Sequence, residues 1–443
     1  MSDPTDPTDP TIGPTTGLRP RLAVVYDQGP ASPSDLAVSL TERMACIFVV
    51  PVNAHTEAVA PVLASFGEVV RADDVARTAQ RLREFSVAGI VTYTEQVQRL
   101  TADLAARLGL RFHSPRTAEL LTDKWQQRAV LRAAGIDAVR SARVDALADW
   151  EPALSRVGLP AVLKPVHGAA SGNTYLVADA GTGRELARQV LSLPAPGHVR
   201  GGGLVLEEYL PGRDCAPFGD YVSVESAVRD SRVTDIAVTG KLPMVPPFRE
   251  TGRFWPSPFP APENDRIRDL AGRAVRALGV RDGLTHTEVK LTPDGPRLIE
   301  VNGRLGGGIQ DLAQRAMGLD LIEYAARIAL GEPAPPRIVP VGQVYFQAFH
   351  PAPRRPATVR GHGGTEAVRA LEGVQLCRTY VRPGQRLAGG VATQELGRVS
   401  GVVADHDALA TLVKRVDQHL TFEFALSGEP EPRTVTRAEL GSL

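Results

Sequence analysis

The sequence predicts a chain of α/β and α+β domains, and three observations carry that prediction. Apolar runs that read as buried strands alternate with helical stretches through the first hundred residues. A strand-rich middle follows, in which a strand, a glycine-rich turn and another strand precede a hairpin. Short strands punctuated by glycine and proline then fill the last hundred residues, after a proline-rich linker. A length of 443 residues suits about three domains with buried cores.

Composition narrows the class. Fifty basic residues balance fifty acidic ones and 43% of residues are hydrophobic, which is ordinary for a soluble globular protein and gives no basic excess for nucleic acid. Cys46, Cys215 and Cys377 are odd in number, far apart and form no CxxC pair, so neither a disulfide framework nor a zinc site is expected, and a reducing cytoplasm fits. No stretch approaches the roughly 18 apolar residues of a membrane span. Residues 1–20, MSDPTDPTDPTIGPTTGLRP, lack the basic start and apolar core of a signal peptide and read as a disordered tail.

Order begins at Arg21. LAVVYD (22–27), CIFVVPV (46–52) and VAGIVTYTE (87–95) read as strands with helical stretches between and after them, giving a Rossmann-like domain over 21–115. It has no GxGxxG, which argues against dinucleotide binding. Helical periodicity from Thr117 stops at Gly135, within a segment set at 116–205. AVLKPVHGAASGNTYLV (161–177) then reads as strand, glycine turn, strand. In the segment 206–332, YVSVESAV and TDIAVTGKL suit antiparallel neighbours, a helix is expected over 264–279, and HTEVKLTPDGPRLIEVNGR reads as a hairpin turning at Asp294 and Gly295. EPAPPRIVP reads as a linker into a separate α+β domain over 333–443, with a helix near 405–420.

The hairpin carries the first chemical signal. Glu288 and Glu300 stand on adjacent strands, and Asn302, two residues on, shares the face of Glu300. Such oxygen donors suit magnesium, which takes one or two carboxylates and completes its shell with water and phosphate; two solvated glutamates on a hairpin would look the same. Arg304 extends that face with a planar fork for a phosphoryl group or a carboxylate. Gly306, Gly307 and Gly308 leave room for substrate and put backbone amides at a helix start, or form a simple turn. Lys164, in VLKP, precedes the loop HGAASGN, whose amides suit phosphates; Lys124 offers a second charge or is a surface lysine. LVLEEYLPG suits a hinge whose backbone reads adenine, or is a partly buried strand end, and Asp214 suits ribose hydroxyls. Glu225 and Lys241 face the same cleft or form ordinary ion pairs.

Taken in order, Lys124, VLKP with its glycine loop, LEEYLPG, SVE, HTEVKL and LIEVNGR resemble the ATP-grasp superfamily. YVSVES, VTGKLP, FRETGRFWPS and THTEVKL in succession look most like its carboxylate–amine ligases called L-amino acid ligases. The resemblance covers 21–332 and is sharpest over 204–308. It implies an ATP-grasp fold: a Rossmann-like N-terminal domain, a lid subdomain over 116–205, a catalytic core over 206–332 and a small β-rich C-terminal domain.

It also implies ATP and Mg2+, with Mn2+ as a substitute. Lys124, Lys164, His167, Gly168, Ser171 and Gly172 would then meet the phosphates, and Glu207, Glu208, Tyr209, Leu210 and Asp214 the nucleoside. Glu288, Glu300 and Asn302 would hold the metal, while Arg304, Lys241 and Glu225 serve catalysis and Arg304 with Gly306–Gly308 meets substrate. The implied reaction is attack of a carboxylate on the γ-phosphate, then of an amine on the acyl phosphate. Implied partners are a small carboxylate and an amine, a short peptide among them, with a homodimer by analogy and neither nucleic acid nor membrane. The three glycines suggest a spacious site and a partner larger than one small amino acid. A carboxylase or kinase output of the same fold, or a regulator that binds nucleotide without turnover, are the alternatives.

Overall fold

In the computed structural model, residues 19–193, 202–332 and 342–443 are described. Residues 1–18 of the tail expected over 1–20, and most of the expected linker, lie outside them. Among the described residues no helix is long and apolar enough to cross a membrane.

Strands β1 (Arg21–Val25), β2 (Ala45–Pro51), β3 (Glu68–Ala72) and β4 (Gly89–Val91) form a parallel sheet in the order β3-β2-β1-β4. β1 and β2 are buried almost throughout, as their continuous apolar runs require with helices on both faces. The order reverses between β1 and β4, so a crevice opens at their carboxyl ends. The helix expected from Thr117 to Gly135 is two helices, Pro115–Thr122 and Lys124–Ala133. Asp123 breaks it: its backbone is extended, and its carboxylate accepts the Gln126 amide to cap the second helix.

β5 (Ser141–Val144), β6 (Ala161–Pro165), β7 (Tyr175–Val177) and β8 (Leu204–Glu208) form a second sheet, ordered β5-β8-β6-β7. The loop between β6 and β7 is the glycine-rich turn, so this sheet carries the expected lid.

The middle of the chain supplies β9 (Tyr221–Arg229), β10 (Arg232–Lys241), β11 (Gly252–Trp255), β12 (Gly283–Thr292) and β13 (Gly295–Asn302). Period-two alternation sends Val222, Val224 and Val228 of β9 and Val289 and Leu291 of β12 into a core with Ile267, Leu270 and Val275 of the helix Ala261–Ala277. The intervening residues, including Glu225, His286 and Glu288, fall on the opposite face. In the β12–β13 hairpin Glu288 pairs with Glu300 and His286 with Asn302. The turn itself is Pro293–Asp294, with Thr292 paired to Gly295, one residue earlier than expected; Gly295 takes φ 111°, outside the reach of most side chains. A bulge at Ile299 lets Leu298 and Val301, three residues apart, both reach the core.

The final segment adds β14 (Val344–Pro351), β15 (Ala357–Gly363), β16 (Val374–Thr379), β17 (Arg386–Leu387), β18 (Glu395–Val403), β19 (Thr421–Leu426) and β20 (Arg433–Thr436). β14, β18 and β16 continue the central sheet, ordered β13-β12-β9-β10-β11-β14-β18-β16, while β17-β15-β19-β20 is separate. The expected boundary at 333 therefore lies within one eight-stranded sheet, because β11 and β14 pair edge to edge. A further apolar core joins Leu22, Phe48 and Tyr93 of the first domain to Trp255, Leu312 and Ile328.

Candidate active site

The first sheet, the lid sheet and the central sheet enclose a cleft of roughly 550 Å3. Glu288 and Glu300 line it side by side on the hairpin. Lys124, at the start of its helix because Asp123 ends the one before, places its ammonium 3.3 Å from Glu300 and donates to the Gly168 carbonyl at 2.7 Å. Burial alone would raise the Glu300 pKa; Lys124, Lys164, an Asn302 hydrogen bond and Arg304 more than offset it and hold it at about 2. Burial likewise opposes the charge on Lys124, yet Glu300 and Glu95 keep its pKa raised.

Lys164 lies 2.9 Å from the Glu207 carboxylate, which Arg128 also grips through two contacts of 3.1 Å. Burial pushes the Glu207 pKa up, but Arg128 and Lys164 bring it down to about 2. Glu207 therefore anchors the lid sheet to two cations as well as facing the cleft. The carboxylate of Glu208 is tied to Arg140 at 3.0 Å, while Tyr209 and Leu210 continue the wall. Gly168, Ser171 and Gly172 line the cleft above Lys164. His167 does not: its ring nitrogen donates to the Thr122 carbonyl at 2.6 Å and so ties the loop to the linker helices.

Arg304 lies on the opposite wall, 3.2 Å from Glu95. Lys241 is buried with its ammonium 2.9 Å from Glu250, whose other oxygen meets Arg253 at 2.7 Å. Burial raises the Glu250 pKa, and Lys241 and Arg253 lower it to about 2.

Several expected residues sit elsewhere. Asp214 is exposed, off the cleft wall, and its carboxylate accepts the Ala216 amide at 2.9 Å, a local turn rather than a ribose contact. Glu225 and Asn302 are buried behind the wall. Glu225 accepts from Ser223 at 2.8 Å and holds His286 at 2.9 Å; the other His286 nitrogen lies 3.4 Å from Glu288. Burial lowers the His286 pKa, but Glu225 and Glu288 overcome it and leave it raised. Asn302 donates to Glu300 at 3.2 Å and orients it.

The glycines 306–308 do not make a spacious surface. A Cβ at Gly306 would lie 2.4 Å from His286, and one at Gly308, where φ is 68°, 2.4 Å from Gln347. Only Gly307 reaches the cleft. The helix Ile309–Met317 does begin directly after them.

Sequence reasoning missed Arg128, Glu95, Glu250, Arg253 and His286. Arg128 had a signal, standing four residues after Lys124 on one helix face. Glu95 had another, since it follows β4 at the crevice where the strand order reverses.

This architecture is the ATP-grasp fold: an L-amino acid ligase from Bacillus licheniformis superimposes with TM-score 0.74 over 92% of this chain and 99% of that one, at 20% identity. In sequence the chain resembles carboxylate–amine ligases of that class. It is 30% identical over 251 residues to the alanine–anticapsin ligase of Bacillus subtilis, covering 54% of this chain and 53% of the relative. It is 35% identical over 189 residues to carnosine synthase 1 of Gallus gallus, covering 41% of this chain and 20% of that protein. The chain thus spans about half the length of the first of these relatives and a fifth of the second. No protein-family model matches it.

Proposed function

We propose that the protein is an ATP-dependent carboxylate–amine ligase that forms an amide or peptide bond through an acyl phosphate, releasing ADP and phosphate. The observation that carries this reading is the meeting of Glu288 and Glu300 with Lys124, Lys164 and Arg304 around one cleft beneath a glycine-rich loop. The relatives, a ligase of alanine and anticapsin and a synthase of carnosine, support amino acids or short peptides as substrates.

Among the described residues no three His, Cys, Asp or Glu side chains gather into a metal cage. Two adjacent carboxylates on a cleft wall nevertheless fit Mg2+, which needs few protein ligands when phosphates and water supply the rest. Glu288 and Glu300 would hold it, with Asn302 orienting Glu300; the ion neutralises phosphate charge when bound. Lys124, Lys164 and the loop amides would cradle the triphosphate, and the wall 207–210 would face the base.

A substrate carboxylate oxygen attacks the γ-phosphorus, the bond to the β-phosphate oxygen breaks, and ADP leaves. Arg304 would stabilise the charge on the transferring group. An amine then attacks the acyl carbon, loses a proton and expels phosphate. Lid closure keeps water from the acyl phosphate. Glu250 and Arg253 present opposite charges that match the ammonium and carboxylate of an amino acid. The three cysteines are free, and the reading places the enzyme in a reducing cytoplasm.

The test is phosphate release from MgATP across amino acids, short peptides and other carboxylates, each with and without amines, with products weighed by mass spectrometry. Release that requires an acid and an amine, with a product one water lighter than their sum, supports the ligase. Release driven by bicarbonate or an alcohol, or none despite ATP binding, refutes it.

A further inference from the structure

We propose that Thr393 is a positioning residue that couples closure of the lid loop to the substrate wall at Glu250. The loop between β6 and β7 turns through three non-glycine residues in the left-handed region, Ala170 (φ 54°), Ser171 (φ 54°) and Asn173 (φ 53°). Such a conformation is strained for a residue with a side chain, so the turn persists only where its surroundings hold it. One anchor is local to the lid: Lys124 and His167 tie the loop to the linker helices. The other comes from the far end of the chain, where the Thr393 amide donates to the Ala170 carbonyl at 3.0 Å.

The same residue has a second bond. Its hydroxyl accepts the backbone amide of Glu250 at 3.3 Å. Glu250 in turn fixes Lys241 and Arg253 through its two carboxylate oxygens. Thr393 lines the cleft between the two walls. One side chain and its own amide therefore join the loop over the nucleotide site to the residues that would read the acid or amine. A nucleotide that settles the loop fixes Ala170, hence Thr393, hence the Glu250 amide. Nucleotide and acid binding are then positively coupled, by roughly fivefold for one neutral hydrogen bond. The direction of this coupling rests on the ligase reading above.

The test is hydrogen exchange of the full chain with and without the magnesium complex of AMP-PNP, followed in peptides covering 168–174 and 248–253. In the wild type the nucleotide slows exchange in both. In Thr393→Val, which keeps the amide but deletes the hydroxyl, the lid peptide stays protected while protection of 248–253 falls by roughly fivefold; Thr393→Ser restores it. Thr393→Ala deletes the same hydroxyl and serves if the valine variant does not fold. Equal protection of 248–253 in wild type, Val and Ala variants overturns the coupling while leaving the nucleotide site standing. Absence of lid protection in the wild type overturns the nucleotide reading itself, and the coupling with it.

Discussion

Replacing Glu207 by glutamine removes one negative charge from between two buried cations while keeping the shape of the side chain. Arg128 and Lys164 both bind that carboxylate, and Arg128 also donates to the carbonyls of Leu298 at 2.8 Å and Ile299 at 2.6 Å. The substitution thus strikes the joint between the lid sheet and the β12–β13 hairpin. Its magnitude follows in two ways. The Glu207 pKa falls from 4.5 to about 2, and at about 1.4 kcal/mol per unit the native state gains roughly 3 kcal/mol from the ionised form. Removing one member of a buried ion pair costs about 3–5 kcal/mol, which agrees. Because the folded pKa is depressed, this stabilisation is complete above about pH 4.5 and is lost as pH falls toward 2. Urea unfolding followed by tryptophan fluorescence at pH 7 should therefore place Glu207→Gln roughly 3 kcal/mol below the wild type, with the gap closing in steps toward pH 3. A gap below about 1 kcal/mol at pH 7, or one that stays constant as pH falls, would refute the reasoning.

Three further outcomes are expected. Arg304→Lys should lower kcat by roughly 100-fold while the ATP dissociation constant moves little, since lysine keeps the charge but not the fork; loss of affinity alone would make Arg304 a binding residue. Gly308→Ala should cost at least about 1–2 kcal/mol, because φ is 68° and the new Cβ would meet Gln347 at 2.4 Å. Gly307→Ala, whose Cβ would meet only the end of the Arg253 side chain at 3.3 Å, should leave the thermal midpoint nearly unchanged when both variants are followed by thermal unfolding. Burial pushes the pKa of His113 down from 6.5 to about 4, so the neutral ring favours the fold above about pH 6.5 and that advantage disappears toward pH 4. His113→Gln should remove roughly 3 kcal/mol of pH dependence from unfolding across that window.

The sequence by itself determined what depends on near neighbours. Strand periodicity and turn residues set the elements, and the two-residue period places Asn302 on the face of Glu300, whereas the bulge at Ile299 brings Glu288 opposite Glu300. The ordered motifs from Lys124 to Arg304 were enough to reveal the ATP-grasp resemblance. Tertiary structure alone decided which of these groups meet. Glu95, Arg128, Glu207 and Arg304 come from four distant stretches, and the Arg304–Glu95 and Arg128–Glu207 salt bridges exist only once the sheets close around the cleft. The glycines at 306 and 308 looked spacious because a sequence shows the missing side chain but not the neighbour that fills its place, here His286 and Gln347. Asp214 lay at a suitable spacing and turned outward, where its carboxylate accepts the Ala216 amide. Local order follows from interactions a few residues apart; a site assembled across hundreds of residues follows from packing, which no local spacing records.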